Sequence, residues 1–288
     1  MEKAEAAKRL VFAGIGEVLF DVFEDGTETL GGAPLNFAVH VHELARRLGV
    51  GEGVVVSCIH PDPRGDELIE ALSRRDMSTR YIGRDPGHPT GSVSVFIRNG
   101  EPGYQIEAGA AWDYITDGPA LGELAGRCGA VCFGSLAQRS PMSRGTIRGF
   151  LRQAPRSIRL YDVNLRINSL TGEAGYSAEI VEYGCRAATI IKANIGELYT
   201  VLDLLGLPCP DARTPDAARK GMEELLSRFP VQAIVVTRGA EGTIALSRQG
   251  DFDVSAPASV ELQPHPVGAG DACSAGILFG AVLGWDLP

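Results

Sequence analysis

Short continuous apolar runs recur along the chain, separated by longer stretches in which apolar residues return every three or four positions. The first pattern suits a strand buried on both faces, the second an amphipathic helix. Strands are predicted at 10–16, 53–59, 130–133, 158–163, 189–192 and 233–237. Helices are predicted at 33–48, 66–75, 143–153, 177–185, 195–205 and 217–228, and a glycine-rich turn opens a last helix over 268–283. Strands alternating with helices imply a mostly parallel sheet with both faces covered, because parallel strands need crossover connections.

Two stretches break this rhythm. Residues 17–30 carry strand-like runs on either side of Glu24-Asp25-Gly26, and residues 90–107 alternate on either side of Asn99-Gly100, a strong hairpin signal. Hairpins inside an α/β chain suggest a small flap carried on the main sheet. Segments 207–211 and 214–216 read as surface loops, and there is no internal repeat or long linker. One domain over 1–288 is expected, with flap strands from about 17–31 and 90–110. An exposed flap edge could pair with a second copy, so a homodimer through it is one expectation.

Composition narrows the function. With 36 acidic against 27 basic side chains the formal charge is −9, which argues against a nucleic-acid partner. Six cysteines, Cys58, Cys128, Cys132, Cys185, Cys209 and Cys273, form no CxxC pair and read as buried free thiols of a reducing compartment. Residues 1–8 lack the apolar core of a signal peptide, and no run reaches membrane-spanning length. A cytoplasmic enzyme without membrane contact is expected. His40 and His42 lie two apart on a predicted helix and cannot share a ligand, and 60–66 reads as a structural turn.

The richest chemistry lies in Val267-Gly268-Ala269-Gly270-Asp271-Ala272. Small residues let the backbone turn sharply into a helix whose first free N–H groups converge on one spot, an anion hole suited to a phosphoryl group. A carboxylate there would be repelled by phosphate unless it had work of its own, such as taking a proton from an attacking hydroxyl. The plainer alternative is a tight turn with Asp271 favoured by the helix dipole. The run is neither a Walker A loop, lacking GK[ST], nor a GxGxxG dinucleotide turn.

Five further stretches precede it in order: Gly16-Glu17-Val18-Leu19-Phe20-Asp21, Gly31-Gly32-Ala33-Pro34-Leu35-Asn36, Asp162-Val163-Asn164-Leu165-Arg166, Lys192-Ala193-Asn194-Ile195-Gly196-Glu197 and Thr237-Arg238-Gly239-Ala240-Glu241-Gly242. Together with Gly268–Asp271, and across about residues 9–286, they resemble the ribokinase-like (PfkB) carbohydrate kinases, within them the fructokinase-like branch. The resemblance implies a three-layer αβα sandwich with a mostly parallel central sheet and a small antiparallel β lid that excludes water from the sugar. It implies Asp271 as catalytic base, with Gly268, Ala269 and Gly270 forming the anion hole. Asp21, Gly31, Gly32, Asn36, Gln105 and Arg166 would lie on the substrate side, and Asn164, Asn194, Thr237, Gly239 and Gly242 on the nucleotide side. Glu197 would organise Mg²⁺ through water. Tyr104 is a further lid residue, for which cross-strand packing is the simpler expectation.

The implied reaction is transfer of the γ-phosphoryl of ATP to a hydroxyl of a small sugar, fructose first. Kinases of nucleosides or of 2-keto-3-deoxy sugar acids use the same machinery, and a catalytically weak sugar-binding relative is the alternative from another class. Two departures bear on these expectations. His265-Pro266 stand where the family has an aspartate and a threonine that help hold a monovalent cation, which weighs against K⁺ activation. The chain also stops at Gly284-Trp285-Asp286-Leu287-Pro288, where relatives continue with helices that close the adenine pocket.

Overall fold

The computed structural model describes residues 10–98, 101–257 and 268–285. The Asn99-Gly100 turn, His265-Pro266 and the last three residues lie outside them.

The strands are β1 (Leu10–Ile15), β2 (Leu19–Phe23), β3 (Glu28–Gly31), β4 (Gly51–Ile59), β5 (Ile82–Arg84), β6 (Gly91–Arg98), β7 (Glu101–Ile106), β8 (Ala130–Gly134), β9 (Ile158–Asp162), β10 (Ile190–Asn194), β11 (Ala233–Thr237), β12 (Thr243–Ser247) and β13 (Phe252–Ser255). The helices are α1 (Ala33–Arg47), α2 (Pro63–Ser73), α3 (Pro119–Arg127), α4 (Pro141–Gln153), α5 (Ala178–Ala187), α6 (Ile195–Leu204), α7 (Pro215–Arg228) and α8 (Ala269–Leu283). Every predicted element is present with ends moved by a few residues. α3, β5, β12 and β13 are additional.

Nine strands form one sheet in the order β13-β12-β11-β10-β9-β8-β1-β4-β5. From β11 through β5 neighbours run parallel; β12 and β13 close the far edge antiparallel. Side chains alternate between two cores, as a strand buried on both faces requires. Val11, Ala13 and Ile15 of β1 point into the layer of α3 to α7, with Leu124, Phe150, Val181, Leu198 and Met222. Phe12 points the other way, toward α1, α2 and α8 with Phe37, Leu68 and Phe279. Its ring centroid lies 5.6 Å from that of Phe279, so α8 is fixed against β1.

The second sheet has the order β3-β2-β6-β7. Two antiparallel hairpins, β2–β3 and β6–β7, are joined by a parallel pairing of β2 with β6. Asp25, at the first turn, accepts from the Thr27 amide at 2.9 Å, the local bond that favours aspartate there. Cys58, Cys128, Cys132 and Cys185 are buried, whereas Cys209 is exposed and Cys273 half-buried, because the 207–211 loop and the start of α8 sit at the surface. His42 is structural: its Nδ1 accepts from the Gly53 amide at 3.2 Å while Nε2 lies 3.1 Å from the Arg75 carbonyl.

Candidate active site

The carboxyl ends of β1, β9, β10 and β11 open at one edge of the main sheet, where open α/β sheets bind ligands. Above them stands the small sheet, and between the two lies a cavity of ≈ 590 Å³. Its lining brings together Asp21, Gly32, Asn36, Asn164, Arg166, Asn194, Glu197, Thr237, Gly268, Gly270 and Asp271. Residues up to 250 positions apart in sequence thus share one space.

Gly268 caps α8 in the left-handed region, at φ 84°, where glycine carries no Cβ penalty. The turn places the amides of Ala269, Gly270 and Asp271 in the first turn of α8, where no intrahelical acceptor exists for them. The Asp271 carboxylate Oδ2 accepts from Asn36 Nδ2 at 2.8 Å. Burial pushes the Asp271 carboxyl up to about 6, and the neighbouring Asp162 charge adds to the rise; the Asn36 bond, Lys192 and Arg166 oppose it. At neutral pH it is still mostly ionised, yet basic enough to hold a proton briefly, as a general base requires.

Asn36 reaches this position because α1 starts at a sharp bend. Gly32 has φ 110°, and a Cβ there would lie 2.5 Å from the Glu17 carbonyl, so only glycine lets the two chain segments approach. Pro34 follows in the first helical turn, where its missing N–H costs nothing.

The inner face of the small sheet follows the period of two. Asp21 pairs with Val93 and Val93 with Ile106, while Phe23 pairs with Val95 and Val95 with Tyr104; all six side chains line the cavity. The face is apolar apart from Asp21, whose half-buried carboxyl is raised by burial and lowered by Arg166. Gln105 belongs to the opposite parity, is not among the cavity-lining residues and donates instead to Glu107 at 3.0 Å. Tyr104 takes the place expected for Gln105, with the Arg166 guanidinium 5.9 Å from its ring centroid. The Tyr104 backbone also exchanges two bonds with Ser169, at 2.8 and 3.0 Å, which tie β7 to the loop after β9.

Asn194 is both the last residue of β10 and the N-cap of α6, in a capping box with Glu197. One Glu197 oxygen accepts from the Asn194 amide at 2.8 Å, the other from the Leu165 amide at 3.0 Å. The same carboxylate thus holds two strand ends together. Burial raises its pKa, with the Asn194 bond opposing. Asn164 sits at φ 39°, the left-handed region that asparagine tolerates better than most residues. Gly31, Ala269, Gly239 and Gly242 are not among the lining residues. Gly31 ends β3 beside Asp21, and Gly239 and Gly242 bracket the turn after β11.

Residues 170–288 match the profile of the pfkB family carbohydrate kinases. Over 282 residues the chain is 28% identical to a Pyrococcus horikoshii protein described as an uncharacterized sugar kinase, covering 94% of this chain and 82% of that protein. Over residues 170–288 the chain carries a pfkB family carbohydrate kinase domain. A structure of the Pyrococcus protein with ATP superposes at a TM-score of 0.74 with 25% identity, covering 95% of this chain and 85% of that one. Fructokinase from Xylella fastidiosa with bound ATP shares the fold at a TM-score of 0.78 and 21% identity, covering 96% and 82%. The protein is therefore a sugar kinase, a phosphotransferase acting on a hydroxyl group, built on the ribokinase-like fold.

Two cavity residues of the kinase escaped the sequence reading. Glu17 is 3% exposed, and its Oε2 has no hydrogen-bond partner among the described residues. Burial pushes it up to about 7; its own amide and Arg166 oppose, while Asp271 and Asp162 add to the rise. Lys192 is the other, in β10 directly after the buried pair Ile190 and Ile191. A charged residue at the end of an apolar strand was the available signal for both.

Proposed function

We propose that this kinase transfers the γ-phosphoryl group of ATP to a hydroxyl of a small neutral sugar, with fructose the first candidate. The observation that carries the reading is the Asp271 carboxylate, standing at the N-terminus of α8 and facing the cavity beside Asn36. A sugar lying against the apolar inner face of the lid would present C–H groups to Val93, Val95 and Tyr104. Its hydroxyls would meet Asp21, Asn36 and the backbone at Gly31 and Gly32, where carboxylate and amide make charge-assisted and neutral hydrogen bonds. Asp271 then accepts the proton of the attacking hydroxyl, and the α8 amides stabilise charge on the group in transfer. The lid keeps water, the competing acceptor, away.

The nucleotide would lie toward Asn164, Asn194, Thr237 and the turn at Gly239 and Gly242. Both Glu197 oxygens already accept backbone amides, so they suit a Mg²⁺ ion held through water rather than by direct ligation. When bound, that ion would neutralise phosphate charge.

Charge favours a neutral acceptor. Glu17, Asp21, Glu197 and Asp271 line the cavity against Arg166 and Lys192, and Lys192 is already paired with Asp162. A second chamber of ≈ 300 Å³ adjoins the first through Ile106, Leu136 and Arg166, and would admit a longer substrate such as a 2-keto-3-deoxy sugar acid. Because Ser169 covers β7 at Tyr104, a lid-mediated dimer would pair through β3.

The test is a panel of ketoses, aldoses, sugar acids and nucleosides with ATP and Mg²⁺, followed by ADP release, with and without K⁺. Fructose is expected among the best acceptors. Activity confined to nucleosides or sugar acids would overturn the neutral-sugar assignment.

A further inference from the structure

Beneath the first turn of α8 lies a buried cluster that the reaction as described leaves unused. Lys192 of β10 is 6% exposed and Asp162 of β9 is 3% exposed. Lys192 Nζ lies 3.1 Å from each Asp162 oxygen, and Ser274 Oγ, from α8, donates to Asp162 Oδ2 at 2.7 Å. Packing does not call for this pair, since well-fitted apolar side chains usually serve a core as well as a buried ion pair does. Both residues occupy the strand parity whose other members, Ile190 and Leu160, pack into the core under α8.

The ammonium is aimed at the anion hole. A Cβ placed on Gly270 would lie 3.0 Å from Lys192 Nζ, and Lys192 lines the cavity together with Gly268, Gly270 and Asp271. An ammonium has three N–H donors. Asp162 engages it on one side and leaves donor capacity toward the cavity. Burial alone would favour the neutral amine, but the Asp162 carboxylate, helped by Glu197 and Asp271, outweighs it and keeps the group charged.

We propose that Lys192 contacts the phosphoryl group during transfer, while Asp162 and Ser274 act as positioning residues that hold the ammonium under the first turn of α8. The inference rests on the kinase reading above. In the step, the substrate oxygen bonds to the γ-phosphorus as the bond from phosphorus to the β,γ-bridging oxygen breaks. That electron pair leaves with ADP, and the hydroxyl proton passes to Asp271. Lys192 stays protonated throughout, adding fixed positive charge where negative charge develops on the phosphoryl oxygens.

The experiment compares the full-length wild type with Lys192→Met in steady-state kinetics with ATP, Mg²⁺ and the best sugar of the panel. The variant is expected to lose about 10²-fold or more in kcat, with the sugar KM changed by less than about threefold. Affinity for ADP with Mg²⁺ and aluminium fluoride in the presence of sugar should fall by a similar factor, while affinity for ADP alone holds. Ethylammonium should restore part of the activity of Lys192→Ala. If Lys192→Met does not fold, the double variant Asp162→Asn, Lys192→Met removes both buried charges and carries the same readouts. An active wild type whose variant keeps kcat within about threefold, or loses ADP and aluminium-fluoride affinity equally, overturns the assignment. A wild type that phosphorylates no sugar overturns the kinase reading and this inference with it.

Discussion

Removing the Asn36 side chain should move the pH profile of the enzyme, not merely weaken sugar binding. Asn36 Nδ2 donates to Asp271 Oδ2 at 2.8 Å in a part-buried setting, a bond that favours the ionised carboxylate. A hydrogen bond to a charged group contributes about 1.5–3 kcal/mol, and a shift of one pKa unit corresponds to about 1.4 kcal/mol. Water entering the space left by Asn36→Ala would replace part of the bond, so a rise of roughly one unit is expected. The Asp271 carboxyl, already at about 6, would then titrate about one unit higher.

A base must be ionised to act, so kcat/KM falls on the acid side. In the wild type the fall should set in as pH drops through about 6, reaching about tenfold one unit below. In Asn36→Ala the same limb should lie near neutrality, so that the deficit relative to wild type widens as pH falls from 8 to 6. The assay is kcat/KM for the sugar at saturating ATP and Mg²⁺ in overlapping buffers from pH 5 to 9, with ADP release read directly. Loss of a sugar contact alone would lower the whole curve without displacing it. An acid limb that stays in place, or moves to lower pH, would refute the assignment of Asp271 as the titrating base.

Three other outcomes follow from the same geometry. Asp271→Asn keeps an oxygen that can accept from Asn36 but cannot take a proton; kcat should fall about 10²- to 10⁴-fold with sugar affinity, measured by calorimetry, nearly unchanged, and near-normal turnover would remove the base assignment. Glu17 sits near 7 in the folded protein against 4.5 for an ordinary glutamate, so the folded state holds a proton that the unfolded state releases. Its stabilising contribution is therefore present below pH 4.5 and lost as pH rises through about 7, amounting to roughly 3 kcal/mol; Glu17→Gln should gain Tm relative to wild type between pH 5 and 8 by calorimetry, and parallel Tm curves would contradict the shift. A Cβ on Gly14 would lie 2.1 Å from the Pro34 carbonyl, so Gly14→Ala must push α1 away from β1, with an expected loss of about 2 kcal/mol or more in denaturant unfolding.

The alternation of apolar runs with amphipathic stretches was enough to read the layers, because a strand buried on both faces and a helix with one buried face leave different periods in sequence. It could not reveal α3, whose short PALGELAGR stretch carries two helix-weakening glycines, nor the antiparallel edge, where β13 has no buried position to mark it as a strand. The lid hairpins were legible from turn residues. Their parallel junction, β2 on β6, was not, since pairing between residues 72 positions apart leaves no local trace. Gly268, Asp271, Asn36 and Asn194, which the family resemblance implied as site residues, line one cavity. Gln105 does not, because a one-residue change of parity sends a side chain to the other face of a strand. Glu17 and Lys192 were hidden for a different reason: a single charge beside an apolar run reads as the end of a strand, and only the fold shows it turned inward.

The Asn36–Asp271 bond joins the two halves of the proposed reaction. Asn36 is carried by α1, which begins at the glycines proposed for the sugar side, and Asp271 by α8, whose first turn would form the proposed anion hole. An asparagine amide has two N–H donors, and one is committed to Asp271. The other is free to meet a sugar hydroxyl, so a sugar seated on Asn36 would be held within reach of the carboxylate that deprotonates it. Orientation of this kind is worth more in phosphoryl transfer than strength of binding, because the protein supplies position and charge and little covalent chemistry. It also explains why the base can sit on a helix remote in sequence from the sugar contacts. One hydrogen bond across the α1–α8 packing fixes the carboxylate relative to the substrate, and the Phe12–Phe279 contact below fixes the helices relative to the sheet.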